Sequence, residues 1–292
     1  MNLVIAAAII LFTPALYAQN YINNILYARD GDRELLLDLS IPDDLTITPP
    51  LLIWIHGGNW RSGDKDSFPT SLLRNTFAHA SIDFRNIDEV PFPGQIHDIR
   101  AAIRFLRANA WRYGYDPDNI ALWGYSTGGH LALLSALAED TALEGTVGEH
   151  TDTPSTVKAV VAIAAQTNLL TLLEQSTTSS YEETKVAVQG LFEDDIVNPG
   201  PVMIEWLRLA SPVMHVSRVS PPVMLMHGLQ DLQVPANQPL ELQLAYQQLG
   251  IPIEMVWLPE ADHFSGEFFA PPLSRRMQNF LEGIFSTNTP GN

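Results

Sequence analysis

The chain has 292 residues, of which 46% are hydrophobic, and a formal net charge of −17. This length fits one large domain with a sizeable core, and the charge argues against nucleic acid or an anionic membrane surface as a partner. Because the sequence contains no cysteine, disulfides, thiol catalysis and Cys-ligated metal sites are excluded.

The N-terminal residues 1–18 have the pattern of a secretory signal peptide. An apolar run from Leu3 to Phe12 is too short to span a bilayer, Pro14 breaks it, and the small Ala18 follows. We therefore expect a secreted or periplasmic protein without stable membrane insertion. A membrane-tethering segment and a buried first strand are the alternatives. Residues 19–292 are predicted to form a single domain.

Hydrophobic patterns along the remaining chain alternate between strands and helices. Two strand-like segments, 25–28 and 35–40, flank a turn at 29–32 and predict an antiparallel start. Apolar strands are predicted at 51–55, 120–123, 157–165, 223–226 and 253–257, with a weaker one at 80–85. Helices are predicted at 94–113, 130–137, 240–249 and 275–285. The alternation predicts an α/β fold with a mostly parallel central sheet and helices on both faces.

Three segments are interpreted by composition. Residues 166–210 fit no strand and are turn-rich, so we expect an excursion over the top of the sheet, either a lid or an insertion with no role in the site. Within the 94–113 helix, Arg100, Arg104, Arg107 and Arg112 are expected to form a solvated face rather than a basic binding cluster. The tail 286–292 is expected to be loose.

The stretch Gly124-Tyr125-Ser126-Thr127-Gly128 lies between a predicted strand and a predicted helix and has the pattern G-x-S-x-G. Serine on such a tight turn is forced into a strained backbone geometry, and the flanking glycines have no Cβ to clash with it. The turn lifts the hydroxyl above the sheet. Ser126 is therefore predicted to be a nucleophile; a Gly-rich loop before a buried helix is the alternative.

A serine nucleophile needs a base to take its proton and an acid to orient that base. Asp231 and His263 each follow an apolar strand, and active sites of open α/β sheets lie at the carboxyl ends of strands. Asp231 is alternatively a turn residue, and Glu260 and Asp262 are rival acids. His227 is expected to pack beneath the loop. No metal site is predicted, since the remaining histidines show no paired ligand spacing: His79, His97, His130, His150 and His215.

The stretch His56-Gly57-Gly58-Asn59-Trp60 follows the 51–55 strand, where backbone amides would have to bind a developing oxyanion. The amide of Thr127, at the start of a helix, is the second predicted donor. Trp60 is predicted to contact the substrate. Three further aromatic residues are candidates for the pocket: Phe192, Trp206 and Phe264. Each of them, like Trp60, either lines the pocket or is a core aromatic.

The sequence resembles the α/β-hydrolase superfamily, in particular its esterase and lipase branch with an H-G-G-x-W oxyanion loop. The segments that carry the resemblance are 56–65, 124–132, 210–216 with 221–235, and 262–264. The resemblance implies a three-layer α/β-hydrolase fold and a cofactor-independent site. It implies Ser126 as nucleophile, His263 as base and Asp231 as acid, with the oxyanion bound by amides among Gly58, Asn59 and Thr127. Hormone-sensitive-lipase relatives often have a third glycine in place of Asn59, so the exact donor pair stays open.

The resemblance also implies a function. We expect a secreted serine carboxylesterase that hydrolyses small acyl or aryl esters through an acyl-enzyme. The subgroup includes acetyl-xylan and feruloyl esterases, so acetyl or feruloyl esters of plant polysaccharide are the expected substrates. An arylformamidase-type amide hydrolase is one alternative, because kynurenine formamidases also carry H-G-G-x-W loops. A non-catalytic binding protein on a hydrolase scaffold is the other. The sequence leaves the oligomeric state open.

Overall fold

The computed structural model describes residues 19–43, 47–69 and 76–286. The predicted signal peptide lies outside the described residues, as does all but the first residue of the predicted loose tail. In the described part of the chain, no helix is both long and apolar enough to cross a membrane.

Within these ranges the strands are β1 Gln19–Asp30, β2 Arg33–Pro42, β3 Pro50–Ile55, β4 Ala78–Ile82, β5 Asp116–Tyr125, β6 Ala159–Ile163, β7 Val223–Gly228 and β8 Ile253–Leu258. They form one eight-stranded sheet in the order β1-β2-β4-β3-β5-β6-β7-β8. The first two strands and the β2–β4 pair are antiparallel, and all other neighbours are parallel. The predicted antiparallel start and mostly parallel sheet are thus confirmed.

Helices connect the parallel strands. The α-helices of the described residues are α1 Gly94–Ala108, α2 Ala110–Tyr113, α3 Thr127–Leu137, α4 Leu169–Gln175, α5 Tyr181–Phe192, α6 Pro201–Leu209, α7 Asn237–Leu249 and α8 Pro271–Ser286. Short 3-10 helices cover Lys65–Ser67, Thr141–Leu143, Pro212–His215 and Gly266–Phe269.

Both faces of the sheet are buried, which explains why its central strands are continuously apolar. Along β3, Ile53 and Ile55 belong to the core cluster that includes α1 and α3. Leu52 and Trp54 point to the opposite face and belong to the cluster that includes α8. Successive side chains of a strand face opposite sides, so one strand supplies both cores of a three-layer structure.

The structure differs from the sequence-based prediction in three elements. The predicted 94–113 helix is interrupted at Asn109, whose side-chain amide donates to the Phe105 carbonyl at 2.9 Å and competes with helix continuation. The weak strand predicted at 80–85 lies at 78–82. Residues 166–210, predicted as a turn-rich excursion, contain the three helices α4, α5 and α6, because tertiary packing of their buried faces outweighs the polar composition.

The expectation of a solvated arginine face was wrong for Arg100 and Arg104. Their side chains are buried, and both pair with Glu144, at N–O distances of 2.9 and 2.6 Å. The spacing on α1 is helical as predicted. The face they occupy packs against the segment after α3, however, and sequence spacing alone cannot tell which face another segment covers.

Candidate active site

Ser126 lies on the sharp turn between β5 and α3. Its backbone has φ 55° and ψ −125°, a region that L-residues with a Cβ rarely adopt. The turn is held on both sides: the Ser126 amide donates to the Ile163 carbonyl at 2.8 Å, and the Ser126 carbonyl accepts the His130 amide at 3.0 Å. The strained backbone is thus held by β6 and by the first turn of α3.

Close backbone packing requires both glycines of the G-x-S-x-G pattern. A Cβ at Gly124 would lie 2.3 Å from the Gly128 carbonyl oxygen, and a Cβ at Gly128 would lie 2.1 Å from the Ile55 carbonyl oxygen. Neither neighbour is a flexible side chain that could move aside. The motif therefore brings α3 against the end of β3, which is where the predicted oxyanion loop begins.

The side chains of Ser126, His263 and Asp231 form one hydrogen-bonded chain. Ser126 Oγ is 3.0 Å from His263 Nε2, and His263 Nδ1 is 2.7 Å from Asp231 Oδ2. A carboxylate can only accept, so Nδ1 carries the imidazole proton and Nε2 is left to accept from the serine hydroxyl. All three residues are buried. This arrangement can deprotonate Ser126 during attack on a carbonyl.

The loop after β7 fixes the Asp231 carboxylate. Its Oδ1 accepts the backbone amides of Gln233 and Val234 at 2.9 and 2.8 Å, which leaves Oδ2 for His263. His227 packs beneath this loop, as predicted, and donates through Nε2 to the Val234 carbonyl at 2.9 Å. Burial lowers the pKa of His227, which favours its neutral form.

Tyr125, the residue before the serine, also holds the histidine loop. Its hydroxyl donates to the backbone carbonyl of His263, and its ring centroid lies 5.4 Å from that of the imidazole. Burial raises the pKa of Tyr125, which keeps the phenol protonated as a donor. This contact could not be predicted from the sequence, because the variable position of a G-x-S-x-G motif carries no signal for it.

The predicted oxyanion loop has three successive residues with positive φ: Gly58 at 126°, Asn59 at 54° and Trp60 at 57°. The Trp60 amide is directed to Thr127 Oγ1 at 3.4 Å, which joins this loop to the first turn of α3. Thr127 is the first residue of α3, so its amide has no partner within the helix. This contact thus joins the loop that carries Gly58 and Asn59 to the turn that carries Thr127, and Gly58, Asn59 and Ser126 line the same cleft.

The Trp60 side chain is an anchor of this loop. It is only 2% exposed, and its indole Nε1 donates to His130 Nδ1 at 3.0 Å. His130 in turn donates through Nε2 to the Ala210 carbonyl at 2.7 Å. Burial lowers the pKa of His130 to about 4, which matches the neutral tautomer that both bonds require. That Trp60 contacts the substrate stays a prediction: the residue lines the cleft over Ser126, while its indole bonds His130. The contact with His130 has no signal in the sequence.

A cleft of about 120 Å³ opens over Ser126 and His263. Besides the three residues of the oxyanion loop, its lining includes Tyr125, Gln233, Val234 and Phe264. Phe264 is 75% exposed at the rim. Phe192 and Trp206 do not belong to this lining; their rings pack against Phe92, at centroid distances of 5.6 and 6.2 Å.

The 166–210 segment forms one wall of the cleft. It contributes five lining residues: Gln166, Leu172, Glu183, Thr184 and Ala187. Glu183, in the first turn of α5, accepts from the Asn59 side chain at 2.9 Å and so connects this wall to the oxyanion loop. The segment therefore takes part in shaping the site. That it moves as a lid stays a prediction.

Histidine and carboxylate side chains of the described residues form no cluster of three or more that could hold a metal ion. The histidines outside the Ser126 site have structural contacts instead. His97 and His215, for example, bond the backbone carbonyls of Ala142 and Leu209, at 2.9 and 2.8 Å.

The sheet, the serine turn and the histidine–aspartate pair define the class of protein as an α/β hydrolase. Comparison with known families agrees: the chain belongs to the BD-FAE family, whose model matches residues 37–246. The match includes Ser126 and Asp231 and ends before His263.

Among curated proteins, the chain is 29% identical to the "Probable carboxylic ester hydrolase LipM" of Mycobacterium tuberculosis over 91% of its length. It is 30% identical to "Esterase LipC" of the same organism over 77% of its length. It spans only 63% and 55% of these two relatives. Among solved structures, "Truncated form of carbohydrate esterase from gut microbiota" superposes with a TM-score of 0.78 at 26% identity, covering 94% of this chain and 99% of the other.

Proposed function

We propose that the protein is a serine carboxylesterase that hydrolyses small acyl or aryl esters through an acyl-enzyme. One observation carries the proposal: Ser126 Oγ lies 3.0 Å from His263 Nε2, and His263 Nδ1 lies 2.7 Å from Asp231. The names of the curated relatives, which are ester hydrolases and esterases, support the same reaction class.

The proposed reaction has two halves. Ser126 Oγ attacks the ester carbonyl carbon while its proton passes to His263 Nε2, and Asp231 stabilises the resulting imidazolium. The tetrahedral intermediate then collapses, the carbon–oxygen bond to the alcohol breaks, and His263 returns the proton to the leaving alcohol. Water, deprotonated by His263, attacks the acyl-enzyme in the same way and releases the acid and free Ser126.

Backbone amides are proposed to stabilise the oxyanion of both intermediates. The candidates are Gly58 and Asn59 on the loop after β3 and Thr127 at the start of α3. The Trp60–Thr127 contact supports this assignment, because it joins the loop after β3 to the turn that carries Ser126 and Thr127. Donors that are already oriented need no reorganisation as charge develops, which is why such sites lower the barrier strongly.

A short acyl group is the substrate that we propose. The cleft holds about 120 Å³, whereas pockets for drug-sized ligands have about 300–1,000 Å³. Acetyl esters therefore fit better than feruloyl esters, whose ring would have to extend over the exposed Phe264. The similarity to a carbohydrate esterase supports an acetylated plant polysaccharide fragment as the natural substrate.

We also propose that the protein is exported, on the pattern of residues 1–18. Expression of the full chain, followed by mass spectrometry of the protein from medium or periplasm, tests this. Cleavage after Ala18 is expected. Intact Met1-containing protein confined to the cytoplasm would contradict it.

The triad is tested by Ser126→Ala with p-nitrophenyl acetate. We expect kcat to fall by about 10⁶-fold with folding retained, because no other group supplies the nucleophile. Ser135→Ala is the matched control: Ser135 is a buried serine of α3 whose hydroxyl has no hydrogen-bond partner among the described residues. The control should keep its activity. Undiminished hydrolysis by a clean Ser126→Ala preparation would overturn the proposal.

Two further measurements separate the alternatives. A fluorophosphonate probe should label Ser126 covalently, whereas an inert binding scaffold would not react. N-formylkynurenine is the discriminating amide substrate: a higher kcat/KM for it than for aryl esters would favour the arylformamidase function over the esterase.

A further inference from the structure

Gln166 lines the cleft, and the oxygen of its side-chain amide is buried without a hydrogen-bond partner. The residue is 5% exposed, it lines the cleft over Ser126, and its Oε1 is bonded to nothing in the described part of the chain. Buried polar groups are almost always hydrogen-bonded, so an orphan oxygen in a substrate cleft calls for a ligand that pairs with it.

The backbone around Gln166 is held firmly on both sides. Ala164 has a positive φ of 48°, and its amide donates to the Met226 carbonyl at 2.9 Å. The amides of Thr167 and Asn168 both donate to Gln238 Oε1 at 2.9 Å. A strained backbone that several surrounding contacts hold in place is typical of functional segments. Gln166 is thus presented to the cleft by a rigid loop.

The buried side chains that line the cleft do not pair with this oxygen. Those of Ser126, Trp60 and His263 carry donors, but these bond His263, His130 and Asp231. Leu172, Ala187 and Val234 line the same space, are all buried, and have no side-chain donor. An amide oxygen accepts hydrogen bonds only. In the structure, no group of the described residues bonds Gln166 Oε1.

We infer that the substrate carries a hydroxyl group close to the ester bond, and that this hydroxyl bonds the side-chain amide of Gln166, which turns about its terminal torsion to present Oε1 to the cleft. The inference rests on the proposed esterase function and adds Gln166 as a residue that determines specificity. A substrate with a methyl group in place of the hydroxyl leaves the acceptor buried and unpaired, which a binding site discriminates against strongly.

Two isosteric ester pairs test the inference and locate the hydroxyl. On the alcohol side, 2-hydroxyethyl acetate is compared with n-propyl acetate; on the acyl side, ethyl glycolate is compared with ethyl propionate. Hydrolysis is followed by pH-stat, and each hydroxyl-to-methyl ratio of kcat/KM is divided by the same ratio for hydroxide-catalysed hydrolysis. This division removes the intrinsic reactivity of the esters. We expect the wild type to prefer the hydroxylated member of one pair by about tenfold or more.

Variants assign the preference to Gln166. Gln166→Met keeps the length of the side chain without its amide oxygen and should abolish the preference, whereas Gln166→Glu keeps an acceptor oxygen and should retain part of it. Gln95→Met is the matched control: Gln95 is fully buried on α1 with an equally unpartnered Oε1, but does not line the cleft. It should leave both ratios unchanged.

Three results would overturn the inference while the esterase function stands. These are a wild type that hydrolyses all four esters without preference, a Gln166→Met enzyme with wild-type ratios, and an equal change in Gln95→Met. The first needs no variant, so it applies even where Gln166→Met fails to fold. A wild type that hydrolyses no ester would instead refute the proposed function itself.

Discussion

Replacing Trp60 with Phe removes one hydrogen-bond donor from the oxyanion loop and keeps an aromatic ring in the same buried place. In the native protein, the indole donates to His130 Nδ1 at 3.0 Å, and His130 is itself bonded to the Ala210 carbonyl. The variant leaves His130 Nδ1 buried and unpaired. The side-chain link from the oxyanion loop through His130 to the end of α6 is then broken, while the backbone contact of residue 60 with Thr127 remains.

The expected size of the effect follows from this unpaired acceptor. Leaving a buried acceptor unsatisfied costs about 1–3 kcal/mol of the free energy of unfolding. For a domain of this size, each kcal/mol lowers Tm by about 2–4 °C. Loss of one oxyanion donor lowers kcat by about 10²–10³, so a loosened loop should lower kcat by about tenfold or more, with a smaller change in KM.

Trp54→Phe is the matched control for this measurement. Trp54 is 3% exposed and packs against Trp123 at a centroid distance of 4.5 Å, but its Nε1 has no hydrogen-bond partner among the described residues. The two variants lose the same ring atoms, and only Trp60→Phe breaks a hydrogen bond. The assay is thermal unfolding by circular dichroism together with the kinetics of p-nitrophenyl acetate hydrolysis. Equal falls in Tm and equal kcat values for the two variants would refute this account of the loop.

Three further outcomes are expected. Gly128→Ala should abolish fluorophosphonate labelling of Ser126, since its Cβ would lie 2.1 Å from a backbone oxygen. Gly283→Ala is the control and should label normally, because there is open space around Gly283. An active Gly128→Ala enzyme would contradict the geometry. The free energy of unfolding should fall by up to about 3 kcal/mol between pH 6.5 and 4. His130 takes up a proton in this range in the unfolded chain, whereas burial holds its pKa in the folded protein at about 4. A Tm that is flat from pH 7 to 4.5 would count against this. The Glu183 carboxylate lines the cleft and repels anionic substrates. Glu183→Gln should therefore raise kcat/KM for the anionic 4-acetoxybenzoate relative to the neutral 4-acetoxybenzamide by about three- to tenfold, and by less at high salt. Glu182→Gln is its control, paired with Lys185 and not part of the lining; an equal rise in both variants would remove Glu183 from the explanation.

The sequence was informative wherever short-range patterns carry the physics. Continuous apolar runs identified the central strands, since burial on both faces removes polar residues from them. The G-x-S-x-G pattern located the strand–turn–helix at Ser126, because the turn tolerates only glycine at its flanking positions. Asp231 and His263 were located by their places after strands, and the structure brings their atoms within hydrogen-bond distance of each other. Their catalytic roles stay predictions until variants are assayed.

The sequence was least informative about faces and long-range contacts. Helical spacing identified the arginine stripe of α1 but not that a later segment covers Arg100 and Arg104. Polar composition concealed the three helices of 166–210, whose stability depends on tertiary packing rather than intrinsic propensity. Neither the His130–Trp60 bond nor the orphan oxygen of Gln166 has a sequence signal, because each depends on residues distant in the chain.

The sequence by itself thus determined the class of fold and the positions of the candidate serine, acid and base, because local backbone sterics and strand burial leave their mark on neighbouring residues. The tertiary structure alone decided how the oxyanion loop is anchored, which residues of 166–210 form the cleft wall, and which buried polar atoms lack partners. These properties come from side chains that meet only after the chain has folded, so no short pattern records them.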